Sequence, residues 1–238
     1  MNTLIVCAHP EPRSFTAALR EVAADTLRAQ GHAVEVSDLY GMRFNPVTGR
    51  DDFLGQHDPA YFNVSLEQRH ALQTGSLAPD IASELARLQQ ADLLIFQFPL
   101  WWFGLPAILK GWIDRVFVSG AVYGRSAMFE RGKFRGKRAL VCVTTGAPAG
   151  AFGPQALNGD MLDLLMPLHR GVFGFTGMTV LPPFVGHHVP YAGDSGRASI
   201  LQGYREHLNR LDQLTPLPMP RMGDYPELST GDPRPLAQ

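Results

Sequence analysis

Between Pro99 and Pro106 the chain runs Leu100, Trp101, Trp102, Phe103, Gly104 and Leu105, directly behind a continuous apolar stretch at residues 93–98. A proline at each end keeps these aromatics out of both the strand before and the helix after. They must then stand beyond the strand's carboxyl end, where open α/β sheets bind ligands. Aromatic faces and turn amides in that place suit a flat heterocycle. Plugging the core is a competing use for one of the tryptophans; two are harder to place, because each indole N–H in a buried turn needs a partner. Near the N-terminus, His9, Ser14, Phe15 and Thr16 bring a hydroxyl, backbone N–H groups and the start of a helix, a combination that favours a phosphate or pyrophosphate. Ser14 taken alone is a helix cap. Thr144, Thr145, Gly146 and Ala147 follow another buried run, and the sequence GAPAG at 146–150 lets backbone N–H groups approach a ring edge. A flat ring held between the turns at 100–103 and 144–147 would have one face covered.

Other conspicuous residues point to less. The chain contains neither a GxGxxG fingerprint nor a P-loop, which argues against a Rossmann-type dinucleotide site. His187 and His188 are adjacent, so in an extended segment they face opposite ways, and no metal site is expected there. Lys110 and Arg115 read as a solvated helix face. Cys7 and Cys142 each fall inside an apolar run, far from any CxxC spacing, and read as small buried hydrophobes. A net charge of −1 gives no basic footprint for nucleic acid, and no apolar run reaches the length of a membrane span. The start, MNTLIVCAHP, lacks the pattern of a signal peptide and reads as a first strand, which makes a cytoplasmic location the expectation.

The elements that must position these turns follow from periodicity. Residues 3–8 predict a strand, Ser14 caps a helix that Gly31 stops, and residues 32–38 alternate as a second strand. Helices are predicted at 79–90, 106–118, 161–172 and 195–211, and strands at 93–98, 138–144 and 178–184. Five strands alternating with five helices imply a doubly wound sheet in the order 2-1-3-4-5. The first, third and fourth strand ends converge at its switch point, and each carries one of the three turns. Residues 41–77 hold no convincing long helix or strand, yet they carry Phe44, Phe53, Tyr61, Phe62 and Val64, whose natural cover is another subunit. From Thr215 onward, Pro216, Pro218, Pro220, Pro226, Pro233 and Pro235 set off a tail, 215–238, from a domain at 1–214.

Five segments, AHPEPRSFT at 8–16, SDLYGMRFNP at 37–46, FQFPLWWFGLPAILKGWIDRVF at 96–117, TTG at 144–146 and NGDM at 158–161, occur in the order found in a known family. The chain resembles the NAD(P)H:quinone oxidoreductases of the DT-diaphorase type, from its N-terminus to about residue 211. The resemblance implies an α/β, flavodoxin-like domain with a long loop insertion and a C-terminal extension. It also implies FAD, ahead of FMN, as cofactor, NADPH or NADH as donor, a quinone as acceptor, and a homodimer. The positions matching cofactor contacts are His9, Ser14, Phe15, Thr16, Pro99, Leu100, Trp101, Trp102, Phe103, Thr144, Thr145, Gly146, Ala147 and Arg197, with Asn63 reaching the flavin of the opposite subunit. Val122, Tyr123 and Gly124 match the segment lining the substrate side. Where well-known members carry a tyrosine and a histidine that assist hydride uptake, this chain has Phe152 and Asn158, so the catalytic expectation rests on the Asn158 amide and on backbone N–H groups. Two zinc-ligand places of one family branch hold Arg170 and Gly174. A flavin-bearing ancillary subunit of a potassium-efflux system shares the fold and is the alternative; the long insertion and the tail favour the enzyme.

Overall fold

The computed structural model describes residues 1–124 and 127–225. Its sheet is parallel and has the order β2-β1-β3-β4-β5, formed by β1 (Asn2–Cys7), β2 (Ala33–Asp38), β3 (Leu93–Pro99), β4 (Arg138–Thr144) and β5 (Thr179–Val180). Every residue of β3 is buried, as a central strand covered on both faces requires. β3 and β4 pair from Leu93 against Arg138 to Pro99 against Thr144, which brings the turns at 100–103 and 144–147 out side by side.

Helices α1 (Phe15–Ala29) and α6 (Gly193–Asn209) cover one face of the sheet over Ile5, Leu19, Leu27, Leu140 and Tyr204. The other face packs beneath α3 (Pro79–Gln90), α4 (Ala107–Val116) and α5 (Met161–Leu168), around Phe96, Trp112, Leu165 and Phe173. Ser14 caps α1 through a bond from the Ala17 N–H at 3.1 Å.

Four expectations need correction. The insertion contains an eleven-residue helix, α2 (Val64–Thr74), capped by Asn63 and closed by Gly75 in the left-handed region. The strand expected at 178–184 is two, β5 and β6 (Phe184–Gly186), both paired with β4; between them Pro182 and Pro183 have no N–H to give a ladder. The helix expected to reach 172 ends at Leu168 and continues as a π-helical turn, His169–Gly174, just after Pro167 removes one donor from its bonding. Arg115 is not solvated: it is 4% exposed, ion-paired to Asp52 at 2.8 Å and Asp80 at 2.7 Å, and bonded to the Asn45 carbonyl. Lys110 does lie exposed, paired with Asp114.

The insertion also covers its own aromatics better than expected. Phe44 and Phe53 are buried and Phe62 packs on the core, leaving Tyr61 exposed. It lies tight on α4, where a Cβ at Gly111 would collide with the Pro46 carbonyl oxygen. Residues after Thr215 pack back on the same chain: the Leu217 N–H donates to the Val180 carbonyl, and Glu130 accepts from the N–H of Met222. The tail's Pro226, Pro233 and Pro235 lie outside the described residues. No helix among those described is long and apolar enough to cross a membrane.

Candidate functional site

Leu100 leaves the sheet with its N–H bonded to the Thr144 carbonyl at 2.9 Å, so the turns after β3 and β4 are tied at their base. Trp101 and Gly104 then exchange backbone hydrogen bonds, at 3.2 and 2.9 Å, and close a two-residue turn. At its tip Trp102 and Phe103 both have positive φ, 50° and 57°. This is the conformation of a type I′ turn, which asparagine and glycine adopt with little strain and bulky residues do not. The aromatics are not core plugs: Trp101 is 41%, Trp102 98% and Phe103 50% exposed. Bulky residues held in a strained turn with their rings in solvent point to a surface they are built to cover.

His9 and Thr16 gather around the same point. The His9 ring lies 6.2 Å from that of Trp101, centroid to centroid. Thr16 Oγ1 sits 3.4 Å from Thr144 Oγ1, and the Gln97 side chain donates to the Thr16 carbonyl at 2.7 Å, fixing the start of α1 to both strands. The first-turn N–H groups of Phe15 and Thr16 have no carbonyl of their own helix to bond. Gln30, after α1, meets Asn209, the last residue of α6, so the two helices present their starts at the same end of the sheet. Arg197 stands there, bonded to Asp194 at 2.6 Å.

On the β4 side, Thr145 donates its hydroxyl to the Ala147 carbonyl at 2.8 Å, and its N–H bonds Gly186 at the end of β6. A Cβ at Gly146 or Gly150 would meet nothing within 4 Å. The chain itself therefore gives no reason for glycine at either position, whereas a flat group lying on this loop would. Phe152 closes the loop, and the Asn158 N–H returns to the Ala151 carbonyl. Sequence reasoning gave no role to His187, yet the structure brings it here. Its ring lies 5.3 Å from Phe152, and its Nδ1 is 3.4 Å from the Thr145 hydroxyl. Burial pulls its pKa below the usual histidine range. The sequence signal was its place at the carboxyl end of the last strand, hidden because that strand was drawn as ending at 184. His188 turns away onto Tyr191.

The remaining candidates assemble elsewhere. Tyr123 lies near Phe175 and reaches Ser65 of α2, beside a cavity of about 240 Å³ lined also by Val64, Gln68 and Ile113. Of the three residues expected on the substrate side, Val122 is fully buried. Asn63 is exposed and caps its own helix, accepting from Leu66. Among the described residues no hydrogen bond or ring pair joins the Tyr123 group to the Thr144 turn, and no group of three or more His, Cys, Asp or Glu could hold a metal ion.

Comparison with known proteins agrees with this architecture. The profile of a family described by its flavodoxin-like fold matches residues 1–210. The rat NAD(P)H dehydrogenase (quinone) 1 is 40% identical over 217 residues, 91% of this chain and 79% of that protein. Human ribosyldihydronicotinamide dehydrogenase (quinone) is 40% identical over 218 residues, 91% of this chain and 94% of that protein. A Klebsiella pneumoniae structure described as a candidate quinone reductase superposes with a TM-score of 0.90 at 38% identity, covering 96% of this chain and 93% of that one.

Proposed function

The chain belongs to the NAD(P)H dehydrogenase (quinone) family of flavodoxin-like oxidoreductases, and from that membership we propose an FAD-dependent enzyme that moves two electrons from NADPH or NADH to a quinone. The observation that carries this reading is the strained Trp102–Phe103 turn, its rings exposed, tied through Leu100 to the open glycine loop after Thr144. A flavin bound there would accept hydride from the nicotinamide and pass it to the quinone.

The residues divide the work. Leu100, Trp101, Trp102 and Phe103 cover the ring from one side, and the amides of Thr145, Gly146 and Ala147 donate to its edge. Asn158 adds a side-chain N–H, while Phe152 has no hydroxyl to offer. The paired starts of α1 and α6, with His9 and Arg197, suit a pyrophosphate, which favours FAD over FMN. No hydrogen bond or ring pair among the described residues joins the Tyr123 group to these turns, and the reading includes a homodimer in which one subunit's Tyr123 segment, with Asn63, closes the other's ring.

Purified protein should carry flavin absorbance, release FAD on denaturation and oxidise NADPH or NADH with menadione. Absence of flavin, or flavin without turnover, overturns the reading. A hydrogen bond to a charged group contributes about 1.5–3 kcal/mol. In stopped-flow mixing, Asn158→Ala should therefore slow flavin reduction about ten- to a hundredfold and Phe152→Tyr should speed it. Unchanged rates in both would remove the 152–158 turn from the site.

A further inference from the structure

Resting on the flavin reading above, we propose that His187 is the proton carrier of the site, in the place left empty by Phe152 and Asn158. The inference begins with hydrogen-bond direction. The Thr145 hydroxyl donates to the Ala147 carbonyl at 2.8 Å, so toward His187, 3.4 Å away, its oxygen can only accept. The Nδ1 of His187 then carries the hydrogen, and Nε2 of the neutral ring is a lone-pair acceptor. The Phe152 ring at 5.3 Å packs beside the imidazole and limits its rotation. Both supports belong to the loop that would lie along the ring edge, so His187 is held by the same residues that hold the cofactor.

Its surroundings leave it uncharged before hydride arrives. From the β4 turn His187 meets Thr145, from the 149–152 turn Phe152, and His188 turns away to Tyr191; none of the facing groups carries a charge. Burial alone shifts its titration, and downward. Negative charge arriving on a bound ring reverses that preference, because an imidazolium is then paired instead of isolated. His187 takes one proton from solvent on Nε2 as hydride arrives from NAD(P)H, and gives it to a quinone oxygen as hydride leaves to the quinone. Per turnover one NAD(P)H, one quinone and one proton become NAD(P)+ and the quinol, and the imidazole returns neutral.

The readout is the pH dependence of the flavin's midpoint potential in the purified holoenzyme. A group that takes up one proton per two electrons adds a tenfold change in the reduction equilibrium per pH unit, about 30 mV. That added slope should be present in the wild type between the depressed titration of the oxidised protein and the raised titration of the reduced one, and should vanish in His187→Phe, which retains ring packing on Phe152. His187→Gln, which keeps a donor toward Thr145 but cannot titrate, should lose it equally and guards against a folding failure in the first variant. Histidine NMR should show one ring titrating at higher pH in the reduced holoenzyme than in the oxidised, and that signal should be missing in both variants. A flavin-bearing, quinone-reducing enzyme whose slope is the same in wild type and both variants overturns this inference alone. A chain that binds no flavin overturns the function with it.

Discussion

Trp102 concentrates the conflict between folding and function in one residue. Its side chain is almost wholly exposed, so the protein gains little from burying it, while its φ of 50° places a bulky residue where glycine fits best. Left-handed backbone costs an ordinary residue roughly 1–2 kcal/mol, and glycine returns part of that through its larger unfolded-state entropy. Trp102→Gly should therefore raise stability of the cofactor-free protein by about 0.5–1 kcal/mol in urea denaturation, and should weaken flavin binding by about 1–3 kcal/mol. A destabilised variant would assign the indole a packing role instead. The sequence placed this turn correctly because Pro99 and Pro106 bound it, and two prolines constrain the backbone whatever the tertiary contacts. It could not show the left-handed tip, which neither residue type favours, nor His187, whose meaning depends on a hydroxyl 42 positions away in the chain.

At the level of elements, α3 and β4 appear in the structure at 79–90 and 138–144 because their apolar spacing carries a single period. Helix α2 was hidden because its inward residues include Glu67 and Gln68. Glu67 accepts from the N–H groups of His57 and Asp58, and Gln68 from that of Ser119, so this helix serves loop backbone with polar groups and shows no apolar stripe. Arg115 was misplaced for a related reason: a cation on a helix reads as solvated unless its partners are known, and Asp52 and Asp80 lie in other elements. Those partners make α4 the anchor of the whole insertion. Removing Arg115 strands the buried Asp52 carboxylate, while the half-exposed Asp80 regains water, so Arg115→Ala should cost about 3–5 kcal/mol. Lys110→Ala, breaking an exposed pair on the same helix, should stay within about 1 kcal/mol. Equal losses in thermal or urea unfolding would show that the buried group has no special role.

For the whole molecule, the proposed site draws on two groups that stand on different segments of one chain. The aromatic turn lies beyond β3, whereas Tyr123 sits with Ser65 and Phe175 beside the α2 cavity. Leu66 and Leu72 of α2 and Leu162 and Met166 of α5 are each more than a third exposed in the single chain. A second cavity shares Ile113 and Val172 with the first and is lined also by Leu165 and by Phe103 of the aromatic turn. The burial of Phe44 and Phe53 removes one argument for a second copy, while these exposed side chains leave the proposed homodimer apolar surface to pair through, one subunit's Tyr123 segment against the other's Trp102 turn. The arrangement has a test that does not depend on any single contact. A Trp102→Ala chain and a Tyr123→Ala chain, each impaired as a homodimer, should regain activity when unfolded and refolded together. Each mixed dimer would combine both defects in one site and leave the other intact, restoring about a quarter of wild-type sites at equal ratio. Loss of flavin should accompany dissociation on dilution. A fully loaded, active monomer in sedimentation, or mixtures no more active than their components, would show that each chain completes its own site.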